Sequence, residues 1–340
     1  MEYPEFLKLG DTIGITAISK GITEEHKLKR LDNAIKYFEE KGFKIVETPN
    51  VRMCVKGRSS TGKERAKEFM ALWMDENVKA IIMVAGGDYA IEMLEYLDFA
   101  EMKKCKPKWI QGFSDVTTIG YLLPTCLDIA SIYADNFINY GMRPVHESLD
   151  RAIEVMMGKT TVQHSYNTYQ SGYLEYGLED YFKPYQLEEK VEWKNLKGDG
   201  KIKISGRTIG GCLDIVTNFV GTSYDNVKKF ISKYKNDGII WFLEVFELTS
   251  PQIYWHLWKF KNAGYFENCK GIVFGRTATC REEYGVTFED SLKDALMDLD
   301  IPVIYDMDFG HRPPQIAMVN GGYLEIETED GKGVVRLLEK

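Results

Sequence analysis

Along the first half of the chain, short apolar runs alternate with segments whose apolar residues recur every three or four positions. Residues 12–17 form a β-rich run after Gly10-Asp11. Residues 24–41 carry Leu28, Leu31, Ile35 and Phe38 at helical spacing and stop at Gly42, a natural residue just past a helix end. Residues 43–47 read as a strand, and 63–75 set Ala66, Phe69, Met70 and Trp73 on one helical face. The stretch "VKAIIMVAGG" is continuously apolar, as a parallel strand buried on both faces must be. Residues 89–97 read as a helix, Trp109–Gly112 as a strand and 116–123 as a helix. Such alternation predicts an α/β fold, a parallel sheet with helices on both sides.

From about residue 151 to 200 the pattern loosens into tyrosines, glycines and charges, as in "HSYNTYQSGYLEYGLEDYFKPY". Its aromatics need something to pack against, so a structured connector is expected rather than a disordered tail. A second unit follows, with strands near 201–205, 239–244, 271–274, 303–305 and 322–327 and helices near 212–220, 251–263 and 288–299. The resulting division is an N-terminal domain over 1–165, a connector over 166–200 and a C-terminal domain over 201–340.

The bulk numbers fit this picture. The 340 residues suffice for two domains at roughly 150 residues each. Hydrophobic residues make up 44% and charged residues 28%, the composition of a soluble globular protein. A net charge of −8 and a pI near 5.4 argue against nucleic acid as a partner. No run approaches the roughly 18 apolar residues of a membrane span. The start, "MEYPEFLKLGDTIGITAIS", has acids and a proline where a signal peptide needs a basic end and an apolar core, so a cytoplasmic protein is expected. Cysteines 54, 105, 126, 212, 269 and 280 form no C-x-x-C pair and read as reduced thiols. Histidines 26, 146, 164, 256 and 311 show no metal-ligand spacing, so neither a metal nor a cofactor is expected.

"GRSSTGKE" (57–64) imitates a phosphate-cradling loop, but Glu64 stands where a Ser or Thr would hold the magnesium. A carboxylate there repels phosphate, and a polar loop entering a helix is the better reading. In "VAGGDYA", Gly86-Gly87 ends a buried strand before a helix. Such a turn can aim N–H groups at an anion, or it can simply need glycine.

Ser114, in "GFSDVT", stands on the corner between a strand and a helix. Taken alone, a helix N-cap is its commoner role. Yet ligand sites of open α/β sheets gather at this strand edge. A serine there can present its hydroxyl while the next amide, of Asp115, faces a developing oxyanion, although the pattern is not G-x-S-x-G. A serine nucleophile needs a base and an orienting acid. His311, in a Gly- and Pro-bounded loop ("VIYDMDFGHRPPQ"), is the base candidate. Glu244, ending "GIIWFLE", is the acid candidate, with Glu247 the alternative.

Seven motifs in register, "GDTIGITAIS", "VAGGDY", "GFSDVT", "GRTIGGCLDIVTNFVGT", "WFLE", "GIVFGR" and "GHRPPQIAMVNGG", resemble the LD-carboxypeptidase family over nearly the whole chain. That family comprises serine peptidases, the muramoyltetrapeptide carboxypeptidases and microcin C self-immunity proteins among them. The resemblance implies a Rossmann-like or flavodoxin-like N-terminal domain, a β-rich α/β C-terminal domain and a homodimer. It also implies a triad of Ser114, His311 and Glu244, with an oxyanion hole from the Asp115 amide and the Gly86-Gly87 turn. Three departures bear on the substrate: Val245 follows the acid, Val319 replaces a proline, and Asp135-Asn136 replaces a Gly-Pro.

The expected function is hydrolysis of an amide beside an anionic group, without cofactor. The substrate would be a murein tetrapeptide losing its terminal D-alanine, or the amide of a peptidyl- or aminoacyl-nucleotide. The length, "GRSSTGKERAKEF" and "VAGGDY" look closer to the immunity-type branch. Tyr89, Trp241 and Phe246 are aromatics that could stack on a base, core packing being the commoner role. The rival from another class is a catalytically silent module that binds an anionic peptide or nucleotide in the same cleft.

Overall fold

The computed structural model describes residues 1–338 except Tyr173 and Asp199, so two positions of the 166–200 connector and the last two of the chain lie outside it. Two large sheets organise the described residues, beside a two-stranded one of Thr168–Tyr169 and Glu189–Lys190 in the connector. The first runs in the order Lys44–Glu47, Thr12–Thr16, Val78–Met83, Trp109–Gly112, Ser131–Tyr133 and Met318–Asn320. Its first five strands are parallel and follow the flavodoxin-like order 2-1-3-4-5. The expected parallel α/β sheet is therefore present. Its chain order reverses beside Thr12–Thr16, where a cleft opens at the carboxyl ends of the strands.

The second sheet is mixed. Ile202–Cys212, Ile239–Glu244, Cys269–Gly275 and Val303–Met307 are mutually parallel. Tyr323–Glu329 and Lys332–Leu337 add antiparallel strands. Strands cross between the halves: Val162–His164 pairs with Lys332–Leu337, whereas Met318–Asn320 pairs with Ser131–Tyr133. The first strand is also longer than the 201–205 expected, because "GRTIGGC" continues it. The glycines that imitate a turn are there for contact: a Cβ on Gly210 would lie 1.7 Å from the carbonyl oxygen of Phe242 on the next strand.

Helical spacing located several helices but missed Glu147–Met156 and Val227–Lys233. Helix Glu25–Glu40 buries Leu31, Ala34 and Phe38, and Gly62–Met74 buries Ala66, Phe69 and Trp73. The latter begins at the false phosphate loop, where Thr61 accepts a hydrogen bond from the Glu64 N–H and caps the helix. Segment 90–96 forms a 3₁₀ helix, and Phe288–Leu296 ends sooner than expected.

One core joins the two sheets. Ile119 and Leu122, on the helix after Ser114, belong to the same buried cluster as Leu213, Val216 and Trp241 of the second half. Thr117 Oγ1 accepts a hydrogen bond from Cys212 N at 3.1 Å. Continuous apolar packing holds the facing strand ends in a fixed relation. No helix among the described residues is long and apolar enough to cross a membrane.

Candidate active site

Ser114 is not a helix cap. Its φ is +65°, the left-handed region, whereas a capping residue is extended. Phe113 occupies the cap position of the short 3₁₀ turn Ser114–Val116, and no side chain caps that turn. A non-glycine residue held at positive φ costs of order 1–3 kcal/mol and persists only where the surroundings enforce it. Here the bend turns the chain from Trp109–Gly112 into helix Thr117–Leu122 and leaves the serine facing the cleft.

The Gly86-Gly87 turn lies against this corner. A Cβ on Gly86 would stand 2.9 Å from Ser114 Cβ, 3.0 Å from its Oγ and 3.7 Å from Asp115 N. Close approach to the serine is thus the reason residue 86 is glycine. Among the described residues, no acceptor within the protein takes the N–H of Gly86, Gly87 or Asp115. The Ser114 N–H is directed elsewhere, to Tyr133 Oη at 3.5 Å.

The Asp115 carboxylate has work of its own. It is buried, accepts from Ala90 N at 2.8 Å and also bonds Ser19, so it ties the turn to the serine corner. Burial pushes its carboxyl up from the ordinary value against these bonds, which favour the ionised form.

Glu244 and His311 meet across the second sheet. Glu244 ends Ile239–Glu244, and His311 follows Val303–Met307. Glu244 Oε2 lies 2.9 Å from His311 Nδ1, and its Oε1 accepts from Tyr133 Oη at 2.6 Å. Burial of this fully enclosed carboxylate works against its charge. The positive field and hydrogen bond of His311, with further bonds from Tyr133 and Cys212, outweigh it and hold the pKa below the ordinary carboxylate value. Glu247 is exposed at the cleft mouth, its N–H accepted by Asp214 Oδ1 at 2.9 Å. Glu244, not Glu247, is therefore the partner of His311.

The His311 loop is rigidly held. Phe246 stacks on the imidazole with centroids 4.1 Å apart, and Phe113 meets it edge-on at 4.8 Å. Gly310, at φ +99°, leaves room for the acid, since a Cβ there would lie 2.9 Å from Glu244 Oε2. Beneath the loop, Arg276 pairs with Asp308 at 2.5 Å and donates to the carbonyls of Arg312 and Pro314 at 3.0 and 2.9 Å.

Ser114, His311, Gly86, Gly87 and Phe246 line one cleft of about 440 Å³, whose mouth carries Lys20 and Lys27. No hydrogen bond joins Ser114 to His311 among the described residues; such contacts commonly tighten only when substrate is bound. A larger groove of about 510 Å³ lies at the amino ends of Val78–Met83 and Trp109–Gly112, beside Glu2, Glu76 and Lys79, and has no nucleophile–base pair among its described lining residues.

The remaining histidines lie apart. His146 accepts from Ser148 N at a helix start, His164 is exposed on an edge strand, and His256 bonds Thr217. His26 packs edge-on against Tyr176. Of the aromatics considered for stacking, Trp241 is fully buried and Tyr89 lies under Arg58; Phe246 alone of the three lines the cleft.

Sequence reasoning missed Tyr133, Cys212 and the Arg276–Asp308 pair. Arg276 left a trace, a cation closing the buried strand "GIVFG". Asn136, noted only as a departure, lines the cleft and accepts from Phe113 N at 3.2 Å through Oδ1.

The models of the LD-carboxypeptidase N-terminal domain and C-terminal domain match residues 13–134 and 205–326. The Microcin C7 self-immunity protein MccF of Escherichia coli is 26% identical, covering 95% of this chain and 92% of that protein. The "Probable murein peptide carboxypeptidase" of Bacillus subtilis is 21% identical, covering 98% of this chain and 93% of that protein. Solved structures of MccF with aspartyl sulfamoyl adenosine and with glutamyl sulfamoyl guanosine superpose at a TM-score of 0.81 and 22% identity. They cover 99% of this chain and 98% of theirs, a likeness of fold.

Proposed function

Because the chain belongs to the LD-carboxypeptidase family, we propose that it is a serine hydrolase cleaving an amide next to an anionic group. In this reading His311 Nε2 takes the proton of Ser114 Oγ as the oxygen attacks the carbonyl. Glu244, bonded to Nδ1, fixes the tautomer and stabilises the imidazolium. The N–H groups of Asp115 and Gly87 receive the oxyanion, with the Gly86 turn pressed against the serine. His311 then returns the proton to the leaving amine, and water activated by the same imidazole hydrolyses the acyl-enzyme.

The observation that carries this reading is the Glu244–His311 bond opening into a cleft that also holds a serine at φ +65°. A binding module gains nothing from a buried carboxylate aligned on an imidazole beside that serine. Lys20 and Lys27 share the cleft lining with Glu24, Asp88 and Glu247, and both pair with Glu24, so the anionic group of the substrate is inferred from the family and not from a cationic surplus. The substrate class is a murein tetrapeptide or an aminoacyl- or peptidyl-nucleotide. Ligands of the MccF structures and the Phe246 and Tyr176 rings support the second. The proposal extends to a cytoplasmic homodimer, which sedimentation would check.

The experiment is parallel incubation with murein tetrapeptide and an aminoacyl-sulfamoyl adenosine, reading products by mass and looking for an acyl adduct on Ser114. Cleavage of either by wild type and not by Ser114→Ala is expected. Binding without cleavage or adduct would replace the hydrolase by a binding module.

A further inference from the structure

We propose that Tyr133 is a positioning residue of this site: from the opposite sheet its hydroxyl fixes the Glu244 carboxylate in line with His311 and, by the same atom, holds the serine corner. The proposal rests on the triad reading above and adds a fourth side chain to it.

Tyr133 is the last residue of Ser131–Tyr133 and pairs with Gly112, two residues before Ser114. Its ring is buried, edge-on to Phe242 of the second sheet at 5.7 Å and to Phe113 at 6.3 Å. That packing delivers the hydroxyl to Glu244 Oε1 at 2.6 Å, while Oε2 faces His311 Nδ1 at 2.9 Å. With each of its two oxygens engaged by a separate group, the carboxylate is held from swinging away from the imidazole.

The hydroxyl oxygen also receives the Ser114 N–H at 3.5 Å, a long contact that keeps this amide out of the oxyanion site. The nucleophile comes from one sheet and the acid–base pair from the other, and Tyr133 touches both.

A fully buried carboxylate depends on such donors to remain charged. The groups facing Glu244 are His311, Tyr133 and the Cys212 thiol, with Asp214 the nearby negative charge. Burial and the adjacent carboxylate hold the Tyr133 phenol well above its ordinary pKa, so it acts as a hydrogen-bond donor and does not carry the proton.

The test measures the rate of fluorophosphonate labelling of Ser114 against pH in wild type and Tyr133→Phe, which needs no knowledge of the substrate. Labelling of the variant is expected to be roughly 10- to 100-fold slower, the rate equivalent of one hydrogen bond to a charged group. The acid limb should also move to higher pH, because ionised Glu244 has lost a donor. A purely structural tyrosine would leave that limb in place. Equal rates with an unmoved acid limb overturn the proposal, whereas failure of wild type to label removes the triad reading itself. If Tyr133→Phe does not fold, Tyr133→Phe is placed in Glu244→Ala. A folded double variant labelling within twofold of Glu244→Ala supports the coupling; an unfolded one makes Tyr133 merely structural and overturns it.

Discussion

A Cβ on Gly86 would begin 3.0 Å from Ser114 Oγ, so the turn ending one strand rests directly on the serine that follows the next. Gly86→Ala should therefore displace the nucleophile. We expect kcat to fall by about 100-fold, the usual result of misplacing a reacting atom by roughly 1 Å. The thermal midpoint should shift by only a few degrees. Steady-state kinetics with unaltered turnover would show that the turn tolerates a methyl group.

Ser114→Ala should lose about 10⁶-fold in kcat, the size seen when a triad nucleophile is removed. Ser114→Gly should be equally inactive and more stable than the alanine variant. At φ +65° an L side chain costs roughly 1 kcal/mol that glycine avoids. Denaturant titration of the two variants gives the comparison, and a more stable alanine variant would contradict the strained corner.

Two acids stood three residues apart in the sequence, and their substitutions should now separate. Glu244→Gln should reduce kcat by about 10⁴-fold through loss of the imidazolium's partner. Glu247→Gln, at the exposed mouth, should leave kcat within about threefold, any effect falling on KM. Comparable losses in kcat from both would undo the assignment.

The lowered pKa of Glu244 fixes the sign of one pH effect. A carboxyl depressed by folding adds stability above its unfolded pKa of about 4.3, and that increment is lost as pH falls through the lower folded value. The stability difference between wild type and Glu244→Gln should therefore contain a component that is lost below about pH 4. Urea titrations from about pH 5 to about pH 2 would read it, and a difference that stays constant over that range would contradict the lowered carboxyl.

Arg276 and Asp308 are both buried, and Arg276 alone serves two carbonyls of the His311 loop. Arg276→Ala should cost about 3–5 kcal/mol, because it strands a buried carboxylate. The surviving folded enzyme should show a lower kcat, from a loosened base. Unfolding midpoints near wild type would mean that Trp193 and the Tyr166 N–H, which also bond Asp308, suffice to hold it.

Most of the fold was legible along the chain. Leu31, Ala34 and Phe38 needed only helical spacing to turn one face inward, and the run through Val78–Met83 could only be a strand buried on both sides. The long strand Ile202–Cys212 was partly hidden, since glycines needed for close approach to Phe242 look the same as glycines needed for a turn. The exchange of Val162–His164 and Met318–Asn320 between the sheets left no local trace, because three-residue strands take their identity from their partners.

By itself the sequence determined which residues could do chemistry: a serine past a strand end, a histidine in a Gly-Pro loop and two carboxylates near another strand end. It could not decide whether Ser114 capped a helix or faced a cleft, since that depends on a φ angle imposed by neighbours. Apart from the motif resemblance it could not choose Glu244 over Glu247, and it gave no sign of Tyr133. Those choices belong to the tertiary structure, because sheet order and cross-sheet packing decide which of two carboxylates reaches the imidazole and which tyrosine reaches the carboxylate.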